Sequence, residues 1–483
     1  MADAMLHGDT KKEAAEKIDS SLDSTIKDAG WWSVMSGFGE SYLSAFAVFL
    51  QATAFQISLL AAVPQLLSSL SQFVAIRLTN IMESRKQIVL ISASLQASIW
   101  LLILGVSYFT RSVWLLIILA AGYFIFGSVP SPAWASWMGD LVQEERRGRY
   151  FGRRNRIAGF VSFISVIIAG LVLDRLAEVD TFMAFAVLFT IAFLARLIST
   201  GYLARQYEPY VDIRQPKQYG FIKFMRTIKS TNFGMFSLFT ALMMFAVFIA
   251  APLFIIYWLE YLQFSYIQYT ILISAASIAS FVTMTHWGAH ADHYGNKVVL
   301  WVSSILISLL PLFWYLLRFA ETGIFAIAVV IQVIGGFAWA GFNLSSSNLL
   351  YDTVRPENRI RLISYYNAMK GFAIFIGAAL GGLIAGLSFT NEALRQVVPT
   401  GLFLVMLISF IAAICVSIIY LPRIQEARIV AHRPHFFHFI AVMPVQGVMF
   451  DSLVGMNRTL KHFKQQLQRL EKYLDYWESD LKK

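Results

Sequence analysis

The sequence repeats itself once, at a constant offset of 212 residues, the distance from Asp140 to Asp352. Residues 140–160 lie over residues 352–372 with eight identities: Asp140/Asp352, Val142/Val354, Glu145/Glu357, Arg147/Arg359, Arg149/Arg361, Asn155/Asn367, Gly159/Gly371 and Phe160/Phe372. The same offset pairs Leu50, Gln51 and Gln56 with Leu262, Gln263 and Gln268, and Gly170 with Gly382. Self-similarity at a fixed period marks a duplicated structural unit. The chain is therefore expected to fold as two like halves.

Composition decides the solvent of those halves. With 57% hydrophobic residues, only 14% charged and a mean hydropathy of +0.61, the chain is too apolar for a soluble protein of its length. About 20 apolar residues cross roughly 30 Å of hydrocarbon. By that measure twelve spans are expected, near residues 31–52, 56–77, 88–109, 113–137, 155–174, 181–203, 233–259, 267–289, 298–318, 323–350, 362–388 and 399–421. The expected fold class is an all-α integral membrane protein with twelve transmembrane helices in two six-helix, pseudo-symmetric halves. This divides the chain into an N-terminal tail (1–30), a first bundle (31–204), a linker (205–232), a second bundle (233–421) and a tail (422–483). Residues 1–30 have no apolar core behind a basic start, so no cleavable signal peptide is expected. The single cysteine, Cys415, excludes an intramolecular disulfide and a Cys-based metal site.

Lys and Arg crowd the loops after even-numbered helices, whereas those after odd-numbered helices carry only Arg111, Arg175, Arg318 and Arg395. The positive-inside rule then places both termini and the linker in the cytoplasm, in a bacterial-type inner (plasma) membrane. The net charge of +10 reads as orientation and contact with anionic headgroups, not as nucleic-acid binding. In the last tail, Leu453, Met456, Leu460, Phe463, Leu467, Leu470, Leu474, Trp477 and Leu481 recur at spacings of three and four. This heptad at 453–481 fits a cytoplasmic coiled coil serving a homo-oligomer or a partner. A helix lying on the lipid surface is the alternative, because Phe463 and Trp477 are bulky for a two-stranded seam.

Few residues inside the spans are ionisable, and each is a functional candidate. Glu40 lies nine residues into helix 1, roughly 13 Å from its cytoplasmic end. Loss of water there favours the neutral acid, so Glu40 is the candidate for proton coupling; a structural acid beside Ser41 and Tyr42 is the other reading. Lys370 either meets a carboxylate or solute anion or snorkels, and Arg196 snorkels or pairs structurally. His286 and His290, four residues apart, flank the end of helix 8 beside Asp292, yet read as loop residues; no metal and no cofactor are expected. Pro130 and Pro132 should kink helix 4. With the small polar residues of helix 10 they suggest a solute cavity whose candidates are Gln51, Ser131, Trp134, Trp339, Asn343 and Lys370. Gly377, Gly381, Gly382 and Gly386 are spaced for close helix packing.

The duplicated loops carry the expected gate. Asp140, Glu145, Arg147 and Arg149, with Asp352, Glu357, Arg359 and Arg361, have the charges to pair between the halves when the cytoplasmic side closes. The structural alternative is that they are helix caps and orientation charges.

Two six-helix repeats, a basic linker and matched charged loops resemble the major facilitator superfamily over residues 31–421. The most specific local sign is WGAHADHYGNK (287–297), similar to a family loop motif, with Gly288, Asp292, Gly295 and Lys297 at its positions. The resemblance implies that Asp292 joins a cytoplasmic charge network holding the outward-facing state and that Gly288 lets a neighbouring helix come close. The first repeat, IRLTNIMESRK (76–86), departs from the motif with Ile76 and Asn80 in place of Gly and Asp.

Repeats of this kind bind solute at their interface and work by alternating access. The expected function is therefore secondary active transport of a small solute by a rocker switch, with protons as the coupling ion. No ATP-binding loop or catalytic triad is present, so an enzyme is not expected. The scarcity of intramembrane Arg argues against organophosphates and leaves a neutral or amphiphilic solute. The alternative is a non-transporting receptor or scaffold that acts through its C-terminal coiled coil.

Overall fold

A computed structural model describes residues 2–82, 84–142, 147–208, 224–226, 228–354, 359–387 and 398–426. The heptad at 453–481, Glu145 and Glu357 lie outside them. All the regular structure among the described residues is helical. The first run is α1 (Ala2–Met35), a π turn (Ser36–Glu40) and α2 (Ser41–Phe49). The first half continues with α3 (Ala54–Met82), α4 (Arg85–Thr110), α5 (Val113–Ser128), α6 (Ser131–Leu141), α7 (Arg147–Ala177) and α8 (Thr181–Ala204). The second comprises α9 (Asn232–Phe248), α10 (Tyr266–Tyr294), α11 (Asn296–Leu316), α12 (Ile324–Thr353), α13 (Arg359–Ala385) and α14 (Gly401–Tyr420).

Eleven segments among the described residues are long and apolar enough to cross a membrane. The expected first span, 31–52, is not one of these eleven; there the helix widens into the π turn that carries Glu40. Helix 4 is divided at Val129 and Pro130 into α5 and α6, where the two prolines withhold backbone donors.

Polar caps set the helix starts. Ser84, Ser112, Asp180, Thr231 and Ser265 each accept a backbone N–H from the first turn that follows, a bond worth about 1 kcal/mol. The repeat reaches into the backbone: Gln51 and Gln263 turn the chain in the left-handed region, with φ of 60° and 55°. Gln51 is accordingly an exposed turn residue between α2 and α3, beyond the end of the helix rather than within it.

Lipid offers no hydrophobic drive for helix association, so packing depends on close contact. A side chain at Gly377 or Gly381 would strike the carbonyls of Phe245 or Ile249 on the α9 run, the span Asn232–Tyr261 that continues α9, and one at Gly382 would strike Phe55 and Ser58 at the start of α3. The core is distributed unevenly. At the end of the bundle away from Asp140 and Asp352, one apolar cluster runs through both halves, from Phe46, Phe185 and Phe189 to Tyr257, Trp314 and Phe403. At the end that carries those aspartates, called here the basic end, Trp137 and Met138 belong to a cluster of the first half and Trp287 and Val299 to one of the second.

Candidate functional site

The halves meet through two helix pairs, α3 with α13 and α7 with α10. Away from the basic end both pairs are tight. Gly170 of α7 abuts Thr270 of α10, and its repeat partner Gly382 abuts α3. The Tyr42 and Thr270 hydroxyls lie 2.8 Å apart, Tyr269 donates to the Ser41 carbonyl at 2.8 Å, and Asp174 accepts from the Ile267 backbone at 3.2 Å. Towards the basic end the pairs differ. A Cβ at Gly371 would press on Ser69 and the Gln65 carbonyl of α3, whereas one at its counterpart Gly159 would meet nothing within 4 Å. The α7 and α10 helices are thus splayed while α3 and α13 stay together.

That splay opens a cavity of about 760 Å³ between α7 and the second half. Gly159 to Val166 form one wall, and the α9 run, α10, α11 and α12 form the other, including Trp258, Trp314 and Trp339. Of the expected cavity residues, Trp339 lines it and packs edge-on against Phe342 at 5.6 Å. Asn343, one turn further along α12, is exposed. Ser131 is exposed at the first position of α6. Trp134 lies under the Arg154 guanidinium, 4.8 Å from its ring centroid. The Lys370 ammonium lies 5.8 Å from the Tyr366 ring centroid. Gln51, at its turn, is not grouped with Trp339.

Glu40 occupies a separate setting. The π turn is packed through Gly37 against Ser165 and Val166 and through Gly39 against Trp100, leaving no room for larger side chains. It presents the half-buried Glu40 carboxylate to two donors, the Ser36 hydroxyl at 2.7 Å and the buried Tyr123 hydroxyl at 2.5 Å. Trp100 closes over Tyr123 with ring centroids 4.9 Å apart. The expected neighbours were Ser41 and Tyr42, but Ser41 donates to the Ser36 carbonyl and Tyr42 to that of Val166. The Glu40 carboxylate on helix 1 is thus held by a tyrosine from helix 4, the helix divided at Pro130.

Comparisons with known proteins agree with this architecture. The sequence profile of the Major Facilitator Superfamily matches residues 30–220 and 236–443. The chain belongs to this superfamily. It is a multi-pass membrane protein and a transporter of small solutes, not an enzyme. Among solved structures it is similar in fold to the nucleoside transporter NupG, at 15% identity and a TM-score of 0.63, covering 84% of this chain and 100% of that one. It is also similar to a structure from a study of substrate recognition in proton dependent oligopeptide transporters, at 12% identity and a TM-score of 0.63, covering 84% and 100%. A bacterial homologue of the iron transporter ferroportin in an inward-facing state matches at 12% identity and a TM-score of 0.58, covering 85% and 99%. No curated protein sequence matches the chain.

Among the described residues of the basic end, several charged groups are held within their own half. Asp140 at the end of α6 pairs with Arg85 at 2.5 Å, and Arg85 is 1% exposed. Glu208, just after α8, accepts from the Arg85 backbone N–H at 2.7 Å and the Ser84 hydroxyl at 2.8 Å. The second half repeats the scheme with different side chains. Lys297 stands 212 residues after Arg85, and its backbone N–H donates at 2.7 Å to Glu426, just after the last helix. Asp352 accepts from Asn296 at 3.3 Å. Both helix N-termini thereby receive a carboxylate, where the backbone dipoles favour one.

Of the loop motif, Gly295 is required by its φ of 94° and by its contact with Glu426. At Gly288 a Cβ would meet only Leu344, at 4.0 Å, an ordinary contact rather than a close helix approach. The His286 ring lies 3.2 Å from the Val282 carbonyl, and exposed Asp292 is two residues beyond buried His290 on α10. Arg147 and Arg149 lie in the first turn of α7, and Arg359 and Arg361 in that of α13.

One network was not evident from the sequence. Asp28 on α1 is 4% exposed and accepts from Ser199 at 2.7 Å; Ser199 in turn accepts from Arg196 at 2.8 Å. Arg154 approaches Asp28 at 3.8 Å. Burial raises the Asp28 carboxyl above its ordinary value of 3.8, against the Ser199 bond and the two arginines. The signal available in the sequence was Arg196 itself, an arginine inside a span that needed an anion.

Proposed function

We propose that the protein is a proton-coupled secondary transporter that works as a rocker switch, its two halves alternating about the cavity between α7 and the second half. The observation that carries this reading is the uneven joint: one apolar cluster spans both halves at one end, while towards the other α7 and α10 are splayed at Gly159. A joint tight at one end and splayed at the other is one of the two states such a switch needs. In this reading residues 31–52, from the end of α1 through α2, provide a twelfth span, both termini face the cytoplasm of a bacterial-type inner membrane, and the splayed basic end is the cytoplasmic opening. Glu40 carries the proton, with Tyr123 as its partner. Asp140, Asp352 and the arginines opening α7 and α13 re-pair between halves when that end closes.

Uptake of labelled solutes into proteoliposomes under an imposed pH gradient tests the proposal. Saturable, gradient-driven uptake is expected in the wild type, and Glu40→Gln should lose it while keeping exchange. Undiminished gradient-driven uptake in the variant overturns the proton role; absence of saturable flux for every solute overturns transport. The heptad at 453–481 supports self-association, so truncation after Arg433 should lower the mass measured by light scattering, and an unchanged mass overturns that role.

A further inference from the structure

The cavity between α7 and the second half has an unusual wall for a polar-solute site. None of its described lining residues is Asp, Glu, Lys, Arg or His. Its larger surfaces are rings, from Phe163, Trp258, Trp314 and Trp339, and its side-chain amide comes from Gln332. An ion entering it would lose hydration and meet no counter-charge on this wall, which is strongly unfavourable. A neutral body with flat apolar faces meets no such barrier.

Two donors in this wall lack a partner among the described residues. The Trp258 indole N–H and the Ser274 hydroxyl are buried, at 9% and 7% exposure, and neither reaches an acceptor there. Other buried groups, such as the Ser58 hydroxyl and the Trp100 indole, also have no partner among the described residues, but Trp258 and Ser274 line the cavity, where an acceptor can be supplied from outside. Both lie towards its closed end. Trp258 packs against Tyr269 at 6.1 Å and Trp314 at 5.4 Å, and Ser274 follows Thr270 by one helical turn. At the splayed end the lips are apolar and open, with Phe160 64% and Phe281 62% exposed.

We propose that this cavity binds an uncharged, ring-bearing molecule whose acceptor atom takes hydrogen bonds from Trp258 and Ser274 while its rings lie among Trp314, Trp339 and Phe163. The proposal names the solute class for the transport reading above, and its biological meaning rests on that reading; the binding chemistry does not.

The test uses the purified full chain and three pyrene probes of one size: neutral acetylpyrene, anionic pyrenecarboxylate and cationic pyrenemethylammonium. Binding is read by energy transfer from tryptophan and by the shift in thermal midpoint. Acetylpyrene should bind saturably, and both charged probes roughly tenfold more weakly or worse, since each must shed its hydration without a counter-ion. Trp258→Phe and Ser274→Ala should each weaken acetylpyrene by roughly three- to tenfold, the range for one hydrogen bond. Ser274→Ala should not lower the midpoint of the unliganded protein, because its hydroxyl makes no hydrogen bond there; Trp258→Phe also gives up ring contacts, so its loss of binding is compared at a temperature well below its own midpoint. Equal binding of the charged probes, no saturable acetylpyrene binding, or binding unchanged in both variants overturns the proposal. Acetylpyrene binding without saturable flux in proteoliposomes would sink the transport reading and leave the site standing. Saturable flux of charged solutes without acetylpyrene binding would do the reverse.

Discussion

Tyr42 and Thr270 join the two halves of this transporter, their hydroxyl oxygens 2.8 Å apart between α2 and α10. Such a bond contributes only about 1 kcal/mol net, so a handful of them holds one end closed without locking it. That scale suits an element that must open and close. The same end owes its tightness to Gly170, which leaves the space that Thr270 fills.

Replacing Gly170 with Val should wedge that end apart. The added carbons would occupy the space of the Thr270 side chain, and a small clash typically costs about 1–3 kcal/mol in the closed state. A cysteine at Asn343, in a Cys415→Ser background, should then react at least about fivefold more slowly with an impermeant maleimide from the basic-end side. An unchanged rate would show that this contact does not set the conformational balance.

The two halves use different chemistry at matching helix starts, and their variants should differ in size. Arg85 is buried between Asp140 and Glu208, so Arg85→Ala takes the ion-pair partner from Asp140 and one of three donors from Glu208 and should cost about 3 kcal/mol. Lys297→Ala retains the backbone N–H to Glu426 and gives up the ammonium bond to the Pro422 carbonyl at 3.2 Å, a contact at the surface; that variant should cost about 1 kcal/mol. Thermal unfolding of the detergent-solubilised variants makes the comparison. Equal losses would contradict the burial of Arg85 as the source of the difference.

Asp28 should impose a pH dependence on stability. Its folded carboxyl is raised above 3.8 by burial, so the folded chain binds this proton more tightly than the unfolded chain does. The contribution is fully present below the unfolded value and is lost as pH rises through the raised folded one. The stability of wild type relative to Asp28→Asn should therefore fall as pH climbs out of the ordinary carboxylate range. A difference that is flat with pH, or grows, would show that Arg196 and Arg154 outweigh burial.

Tyr123 should matter through Glu40. Tyr123→Phe removes a donor from the carboxylate while keeping the ring against Trp100. Gradient-driven uptake should change its dependence on pH, whereas exchange at fixed pH should stay within about twofold of wild type, since no cavity wall is altered. Loss of both activities together would assign Tyr123 a packing role only.

The legible parts of this molecule are those that repeat or stand alone. The pairing of Asp140 with Asp352 and of Gly170 with Gly382 announced two halves, and each pair occupies corresponding places in them. Glu40 stood out as the acid deepest in an apolar run, although its partner Tyr123 lies 83 residues away and no local pattern joins them. Asp28 sits in a stretch that is polar by composition, and only the docking of α1 on α8 buries it. Trp258 and Ser274 belong to residue types that usually pack without further role; what distinguishes them is a missing partner, which exists only once α10, α11 and α12 are assembled. Gly159 and Gly371 are identical in the sequence alignment of the halves, yet one faces open space and the other a helix. Conformational asymmetry of that kind has no signature in a duplicated sequence.

The most direct test of alternating access is a pair of distance measurements by double electron–electron resonance in lipid nanodiscs, with Cys415 replaced. One pair of spin labels, at Thr53 and Ser265, spans the closed end; the other, at Arg153 and Ala289, spans the splayed end. Across pH and in the presence of acetylpyrene, each pair should populate two distances, with conditions that lengthen one shortening the other. A single unchanging distance at both ends, or both ends opening together, would contradict the account.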